Sequence, residues 1–128
     1  MSIRRIVPNI QSDRFDESLE FYAGFLGLDA RNDLGWVAHL SSPTNPTAQI
    51  QLFRRDAPQT PHPDVTIEVA DVDQTHAEAV RRGLRIVYPL TDEPWGIRRF
   101  FVEDPNGLIL NIMSHGANAP SGTLPKEP

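Results

Sequence analysis

Residues 95–111, WGIRRFFVEDPNGLILN, hold two apolar runs separated by the turn sequence Asp104-Pro105-Asn106-Gly107. Proline presets the φ angle of the first turn corner, and Asn-Gly favours the bridge and left-handed conformations that close a hairpin. The stretch therefore predicts two antiparallel strands, at 97–102 and 108–113, joined by a tight turn.

The residues that precede this hairpin predict three further elements. Residues 65–69 are typical of a strand, and Asp71 with Gln74 three positions later is typical of a helix N-terminus. The helix is expected to end at Gly83, and a strand at 84–88 follows it. The second half of the chain is thus predicted to run strand, helix and three strands.

The first half of the chain predicts the same order. A strand at 3–10 contains Pro8, which indicates an edge position or a bulge. Ser12 or Asp13 then caps a helix that ends at Gly27. The apolar residues of this helix recur at helical spacing: Phe15, Leu19, Tyr22 and Leu26. Three short strands follow it, at 28–30, 35–40 and 49–53.

The matching order indicates an internal repeat, in which Gly27-Leu28 corresponds to Gly83-Leu84. We assign module one to residues 1–55, a proline-rich linker to 56–63 and module two to 64–115. Each module is too small to bury its sheet alone, so the two are expected to form a single domain. The predicted fold class is α+β, built from two tandem β-α-β-β-β modules.

Composition excludes several functions. The 128 residues carry no cysteine, 12 Lys plus Arg and 17 Asp plus Glu, for a formal net charge of -5. Without cysteine there are no disulfides and no thiolate nucleophiles, which favours the cytoplasm. The sequence has no dense basic patch of the kind that binds nucleic acid, and it has no apolar run long enough to cross a membrane. Residues 116–128 are rich in Pro and Gly and predict a disordered tail, or an arm that is ordered only against another subunit.

These features together resemble a known family, the vicinal oxygen chelate superfamily of glyoxalase I, extradiol dioxygenases, and fosfomycin and bleomycin resistance proteins. The resemblance rests on the flanked turn at 104–107, on the internal repeat and on Leu19-Glu20-Phe21-Tyr22, and it spans residues 3–115. The opening Val7-Pro8-Asn9-Ile10 is most similar to the bleomycin-resistance branch. The resemblance implies curved mixed sheets around a cleft for a small ligand, commonly completed by a second subunit in a homodimer.

Enzymes of this superfamily hold a divalent metal in the cleft, with His, Gln or Glu ligands from the first and last strands of each module. In this sequence those positions fall on residues 7–9, Gln51, Asp64 and Asn111. The set lacks the imidazoles and inward glutamates that hold Fe, Ni, Zn or Mn. We therefore expect no metal and no other cofactor, and we assign no catalytic residue.

The candidate ligand-binding residues lie at corresponding places in the two modules: Trp36, His39, Gln51, Phe53, Trp95 and Asn111. The tryptophans could stack on a ligand or pack into the core. The two amides could orient a ligand or face water. His39 could line the cleft or face solvent.

The leading functional hypothesis is a homodimer that binds or sequesters an aromatic or cationic compound without a metal, as in antibiotic resistance. One alternative is a metal-dependent lyase, epimerase or dioxygenase in which His39, His62 or His115 supplies a shifted ligand set. Another is a partner-binding protein that has lost the pocket. The pair Arg98-Arg99 is expected to be solvated or to form dimer salt bridges, although one arginine could meet an acidic ligand group.

Overall fold

The structure is a computed structural model that describes residues 2–31, 34–57 and 61–115. Its elements, in chain order, are β1 (Ile3–Ser12), α1 (Phe15–Leu19), a π-helical segment (Glu20–Phe25), β2 (Asp29–Arg31), β3 (Val37–Ser41), β4 (Gln49–Arg54), β5 (Val65–Val69), α2 (Val72–Arg81), β6 (Ile86–Asp92), β7 (Ile97–Glu103) and β8 (Ile109–His115). The α+β class and the two β-α-β-β-β modules are confirmed. The predicted tail at 116–128 and part of the predicted linker, residues 58–60, lie outside the described residues.

The chain divides into two compact units, and the first of them comprises Val7–Thr60. In this N-terminal unit, β3 pairs antiparallel with both β2 and β4, while β4 pairs in parallel with residues 9–12 of β1. One face of the sheet packs against the helical segment through a core of Phe15, Ala38, Leu40 and Leu52. Among the described residues of this unit, no helix lies on the opposite face.

The second unit comprises Met1–Ile6 together with Pro61–Pro128. In this C-terminal unit, β5 pairs in parallel with β8, β8 with β7 antiparallel, and β7 with β6 antiparallel. Helix α2 covers one face of this sheet, and the core under it contains Val69, Val72, Ala79, Phe100, Val102 and Ile112. Each unit therefore repeats one design, with a helix on a single face of its sheet.

The helix of module two begins as predicted. The carboxylate of Asp71 accepts a hydrogen bond from the backbone N–H of Gln74 at 3.1 Å, and Gly83 follows the helix with φ of 68°. The turn at 104–107 is also confirmed, because the backbone N–H of Asp104 donates to the carbonyl of Leu108 at 2.8 Å. At both the helix ends and the turn, a few adjacent residues were enough to predict the structure.

The helix of module one differs from the prediction. Arg14 occupies its N-cap position and no side chain caps it, because the Ser12 hydroxyl accepts from the backbone N–H of Arg14, outside the helix. After five residues the α-helix becomes π-helical. The wider π turn rotates later residues away from the core, and Leu26, a member of the predicted apolar stripe, is 54 % exposed.

Candidate functional site

The sheet face opposite the helix in the N-terminal unit carries a row of polar side chains. Successive side chains on a strand point to opposite faces, so the residues between the core positions of β1, β3 and β4 share this face. The register places Gln51 directly opposite Asn9 on one side and His39 on the other. The three residues are 4, 6 and 6 % exposed, respectively. The alternatives of a water-facing Gln51 and a solvent-facing His39 are therefore wrong.

The aromatic candidates of the same unit lie beside this row. Phe53 follows Gln51 on the same face of β4 and is fully buried. Trp36 directly precedes β3 and is half-buried, with its ring 6.3 Å from that of Phe53, centroid to centroid. Trp36 thus packs at the margin of the face rather than in the helix-covered core.

The corresponding face of the C-terminal unit is also buried and polar. Thr66 and Asn111 are register partners on β5 and β8, and the side-chain amide of Asn111 donates to the Thr66 hydroxyl at 3.2 Å. Asn111 is 1 % exposed, which excludes its water-facing alternative. Among the described residues, nothing donates a hydrogen bond to its Oδ1 atom. A ligand donor would satisfy this acceptor.

A second polar group on this face surrounds Arg99, the register partner of Met113 on β8. The Arg99 guanidinium donates from Nε to Glu93 at 2.7 Å, and the hydroxyl of Tyr88 donates to the same carboxylate oxygen at 2.7 Å. The guanidinium carbon lies 5.0 to 5.4 Å from the ring centroids of Tyr88, Trp95 and Phe101. Trp95, at 40 % exposure, is the outermost of these rings.

The expectation of a solvated arginine pair is therefore wrong for Arg99, whose side chain is only 4 % exposed. Arg98 points to the other face and forms ion pairs with Asp73 and Asp92, each at 3.0 Å. Both carboxylates raise the pKa of Arg98, and the hydrogen bond to Asp73 has the larger effect. The two neighbouring arginines thus differ in face, burial and partner.

A third polar group on the C-terminal face is centred on Glu68, two positions after Thr66. One carboxylate oxygen of Glu68 accepts from Nε of Arg5 at 2.6 Å, and the other lies 2.8 Å from Nδ1 of His115. The Arg5 and Glu68 side chains are 8 and 9 % exposed, and that of His115 is 24 % exposed. The face therefore contains two buried carboxylates, each paired with a buried arginine.

The model of the glyoxalase/bleomycin resistance protein/dioxygenase superfamily matches residues 3–112. The chain belongs to this superfamily. None of the curated proteins matches the sequence. The bleomycin-resistance branch within the superfamily is not distinguished by the match.

Several solved structures share the fold of this chain. A superfamily member from Vibrio splendidus 12B01 superposes with a TM-score of 0.69 at 16 % identity, over 88 % of this chain and 99 % of that one. A methylmalonyl-CoA epimerase from Mycobacterium tuberculosis superposes with a TM-score of 0.63 at 18 % identity, over 90 % and 88 %. A Mn(II)-bound glyoxalase from Novosphingobium aromaticivorans gives 0.64 at 20 % identity, over 98 % of this chain but 42 % of that one. At such identities the likeness is one of fold.

The two parallel strand pairs give the positions at which superfamily enzymes are expected to hold a metal. In the N-terminal unit they are Asn9 and Gln51, and in the C-terminal unit Thr66 and Asn111. By this pairing the first-strand position of module two falls on Thr66, two residues after the expected Asp64. Asp64 precedes β5, and its carboxylate accepts from the backbone N–H of Ile109 at 2.8 Å.

The donors at these positions do not fit a transition metal. Three amides and one hydroxyl are neutral, whereas Fe, Ni, Zn and Mn sites in proteins are built on imidazole and carboxylate groups. The alternative in which His39, His62 or His115 supplies a shifted ligand stays a prediction, and the described part of the chain brings together no group of three or more His, Asp or Glu side chains that could hold an ion.

Two surface cavities lie away from the predicted ligand-binding residues. One of about 440 Å³ in the N-terminal unit is lined by Ser12, Asp13, Arg54, Arg55 and Asp56. Arg55 pairs with Asp13 within this lining, and Arg54 pairs with Asp16 outside it. The other, of about 250 Å³, lies between α2 and its sheet beside Ala79, Leu84 and Phe100. Neither cavity is lined by one of the six candidates.

Sequence reasoning missed Thr66, Glu68 and the pairing of Arg99 with Glu93. The strict alternation Val-Thr-Ile-Glu-Val at 65–69 carried a signal for the first two, because it places Thr66 and Glu68 on one face. No comparable signal marks Glu93, which reaches Arg99 from the turn between β6 and β7. As for membranes, none of the helices in the described ranges has the length and apolar character to cross a bilayer.

Proposed function

We propose that this chain is a metal-free small-molecule-binding protein of the glyoxalase/bleomycin-resistance type, which binds or sequesters an aromatic or cationic compound. The observation that supports it is the chemistry of the paired first- and last-strand positions. Asn9 faces Gln51 in one unit and Thr66 faces Asn111 in the other, and all four are buried. Buried amides and hydroxyls orient organic ligands by hydrogen bonds, and they bind divalent metals weakly.

The aromatic part of the proposal rests on Trp36, Phe53 and Trp95, which lie beside these polar groups. Trp95 is 40 % exposed, so part of its ring is available for stacking. The cationic part rests on the formal net charge of -5, which favours the approach of cations. Arg99 lies over the Trp95 ring at 5.3 Å, so a cation at this ring would meet a like charge. The Trp95 ring therefore supports binding of an aromatic compound, and a cationic compound is expected to bind elsewhere.

The finer features of the proposal rest on the sequence. We place the chain in the bleomycin-resistance-like branch because of its opening residues 7–10, and we propose a cytoplasmic homodimer because superfamily clefts are commonly completed by a second subunit. The expected absence of nucleic-acid and membrane partners belongs to the same proposal. Light scattering on the purified chain tests the dimer, since a monomer at micromolar concentration would contradict it.

Metal analysis tests the metal-free part. The chain is expressed without an affinity tag in media supplemented with Fe, Ni or Mn, dialysed and analysed for its metal content. We expect far less than one ion per chain under all three conditions. A stoichiometric transition metal that survives dialysis would contradict the proposal.

Tryptophan fluorescence tests the ligand class with a matched pair of probes. Benzyltrimethylammonium is aromatic and cationic, and neopentylbenzene has the same shape without the charge. A saturable response to both probes supports an aromatic site, and a response to the first alone supports a cationic site. If neither probe gives a saturable response, the proposed ligand class is wrong.

A pair of leucine variants tests the amide row. Gln51→Leu removes a buried amide from the proposed site, whereas Gln74→Leu makes the same change on the exposed surface of α2. The probe for this test is benzamide, an aromatic compound whose amide can hydrogen-bond to Gln51. Loss of one ligand hydrogen bond costs about 1 kcal/mol, which weakens binding by about fivefold to tenfold. We expect this loss in Gln51→Leu and wild-type affinity in Gln74→Leu. Equal affinities of the two variants would contradict the role of Gln51.

A further inference from the structure

The Glu68 carboxylate is held in one orientation by two partners. Arg5 donates to one oxygen at 2.6 Å, and Nδ1 of His115 lies 2.8 Å from the other. The Glu68 side chain is 9 % exposed, so little water competes for either oxygen. Because the ionised carboxylate paired with Arg5 only accepts hydrogen bonds, Nδ1 of His115 must carry the proton in this contact. We call the pair the Glu68–His115 dyad.

With Nδ1 protonated, a neutral imidazole keeps its lone pair on Nε2. This atom is shielded from water, and within residues 2–31, 34–57 and 61–115 it has no hydrogen-bond partner. The His115 side chain as a whole is 24 % exposed, so parts of the ring other than Nε2 reach the surface. An imidazole oriented by a carboxylate at one nitrogen and left without a partner at the other is the arrangement of a general base.

The dyad lies on the buried polar face of the C-terminal unit. His115, Met113 and Asn111 alternate along β8 on this face, and the Asn111 side chain also has an acceptor without a donor. Four residues of a strand span about 13 Å, which is the approximate distance along β8 between Asn111 and His115. The charged groups around the imidazole are Glu68 on β5, Arg5 on β1 and Arg99, which is the register partner of Met113 on β7.

We propose that His115 is a general base and that Glu68 is its positioning residue, acting on an organic ligand with an acidic C–H bond. Nε2 takes the proton, the C–H bond breaks, and its electron pair moves into a carbonyl or heteroaromatic group of the ligand. Glu68 stabilises the imidazolium that forms. The proton then returns to the ligand at another atom or to a leaving group, so no metal and no further reactant are required. This activity goes beyond binding and stands on the geometry of the dyad alone.

The tautomer of His115 can be measured in the unmodified protein by long-range proton–nitrogen NMR of the histidine side chains. At a pH where the ring is neutral we expect the Nδ1–H form. Glu68→Gln should shift the population towards Nε2–H, because the amide that replaces the carboxylate no longer requires a donor. An Nε2–H ring in the wild type overturns the proposal without any variant.

The base itself is tested with 5-nitrobenzisoxazole, an aromatic compound whose elimination requires only proton removal. The base takes the C3 proton, the C–H electron pair forms a nitrile, the N–O bond breaks and a coloured phenolate is released. We expect the wild type to accelerate this elimination over buffer. A positioned general base contributes at least about a hundredfold, so His115→Gln should lose about that factor.

His76→Gln is the matched control, because it removes an imidazole that lies on α2 against Phe100, on the other side of the sheet. It should keep the wild-type rate. Glu68→Gln should lower kcat by about tenfold to a hundredfold, leave KM nearly unchanged and displace the pH profile. Equal rates for wild type and His115→Gln overturn the proposal. Retained binding of the fluorescence probes in His115→Gln would show that such a failure leaves the proposed binding function intact.

Discussion

Replacement of Arg99 by methionine isolates the energetic role of the buried polar face. Methionine keeps much of the apolar volume of arginine and removes the charge. It leaves the Glu93 carboxylate, whose side chain is 8 % exposed, without its cationic partner. Tyr88 would still donate one hydrogen bond, but the charge would stay buried and uncompensated.

Breaking one side of a buried ion pair costs about 3–5 kcal/mol, most of it the desolvation of the remaining charge. The neighbouring Arg98 provides the control for Arg99→Met. Its side chain is 33 % exposed and its two carboxylate partners are on the surface, so Arg98→Met should cost at most about 1 kcal/mol. The two substitutions are chemically identical and adjacent in sequence.

Urea denaturation followed by far-UV circular dichroism gives the free energy of unfolding of each variant. We expect Arg99→Met to lose at least about 2 kcal/mol more than Arg98→Met. The double variant Glu93→Gln with Arg99→Met removes both charges and should recover part of the loss. If Arg99→Met and Arg98→Met have equal stabilities, or if the double variant is the least stable, the reasoning about the buried pair is wrong.

Three further predictions concern the local signals of the fold, each measured by urea denaturation. Asp71→Ala should cost about 1 kcal/mol through loss of the α2 cap, and more than Asp13→Ala, whose carboxylate caps no helix. The pKa of Asp104 is lowered from its usual 3.8, mainly by the hydrogen bond that its carboxylate accepts from the backbone N–H of Leu108. The carboxylate therefore stabilises the fold above that value and loses this effect as pH falls through its lowered pKa, so Asp104→Asn should be more harmful at neutral pH than at about pH 3. Gly107→Ala should cost about 1 kcal/mol, because φ is 85° and a Cβ atom there meets nothing within 4 Å, which leaves backbone strain alone.

The sequence predicted elements whose signals are local. The bounds of β5, the Asp71 cap of α2 and the turn at 104–107 depend on a few adjacent residues, and all three agree with the structure. The repeat extended this agreement to the order of elements in both modules. The ends of the other strands moved by a few residues, because strand length depends on the partner strand.

The helix of module one shows where periodicity fails. Phe15, Leu19 and Tyr22 pack in the core of the N-terminal unit as predicted, but Leu26 does not. A spacing of four, three and four residues fits an α-helix, and nothing in it announces the π turn that begins at Glu20. The sequence could therefore locate this helix without determining which residues at its end are buried.

The candidate site was predictable only in part, for a similar reason. Alternation along β4 and β8 placed Gln51 and Asn111 on defined faces, and comparison of the modules made them equivalent. The sequence could not identify the ion-pair partners of the charged residues, because Arg5 and Glu68 are 63 positions apart in sequence. Their pairing follows from the packing of strands that no local pattern connects.

The distribution of buried polar groups separates the two faces of each sheet. Seven of the buried polar residues lie on described strands, all opposite the helix-covered face: Asn9, His39, Gln51, Thr66, Glu68, Arg99 and Asn111. The buried strand positions under the helices are apolar in both units. Burying an acceptor without a donor costs about 1–3 kcal/mol, and the structure accepts this cost at Asn111 and at His115, within one strand. An apolar residue at position 111 would fit the alternation and remove its share of that cost. Because stability alone would favour that exchange, the two unpaired acceptors support the proposals of a ligand at Asn111 and of a proton acceptor at His115.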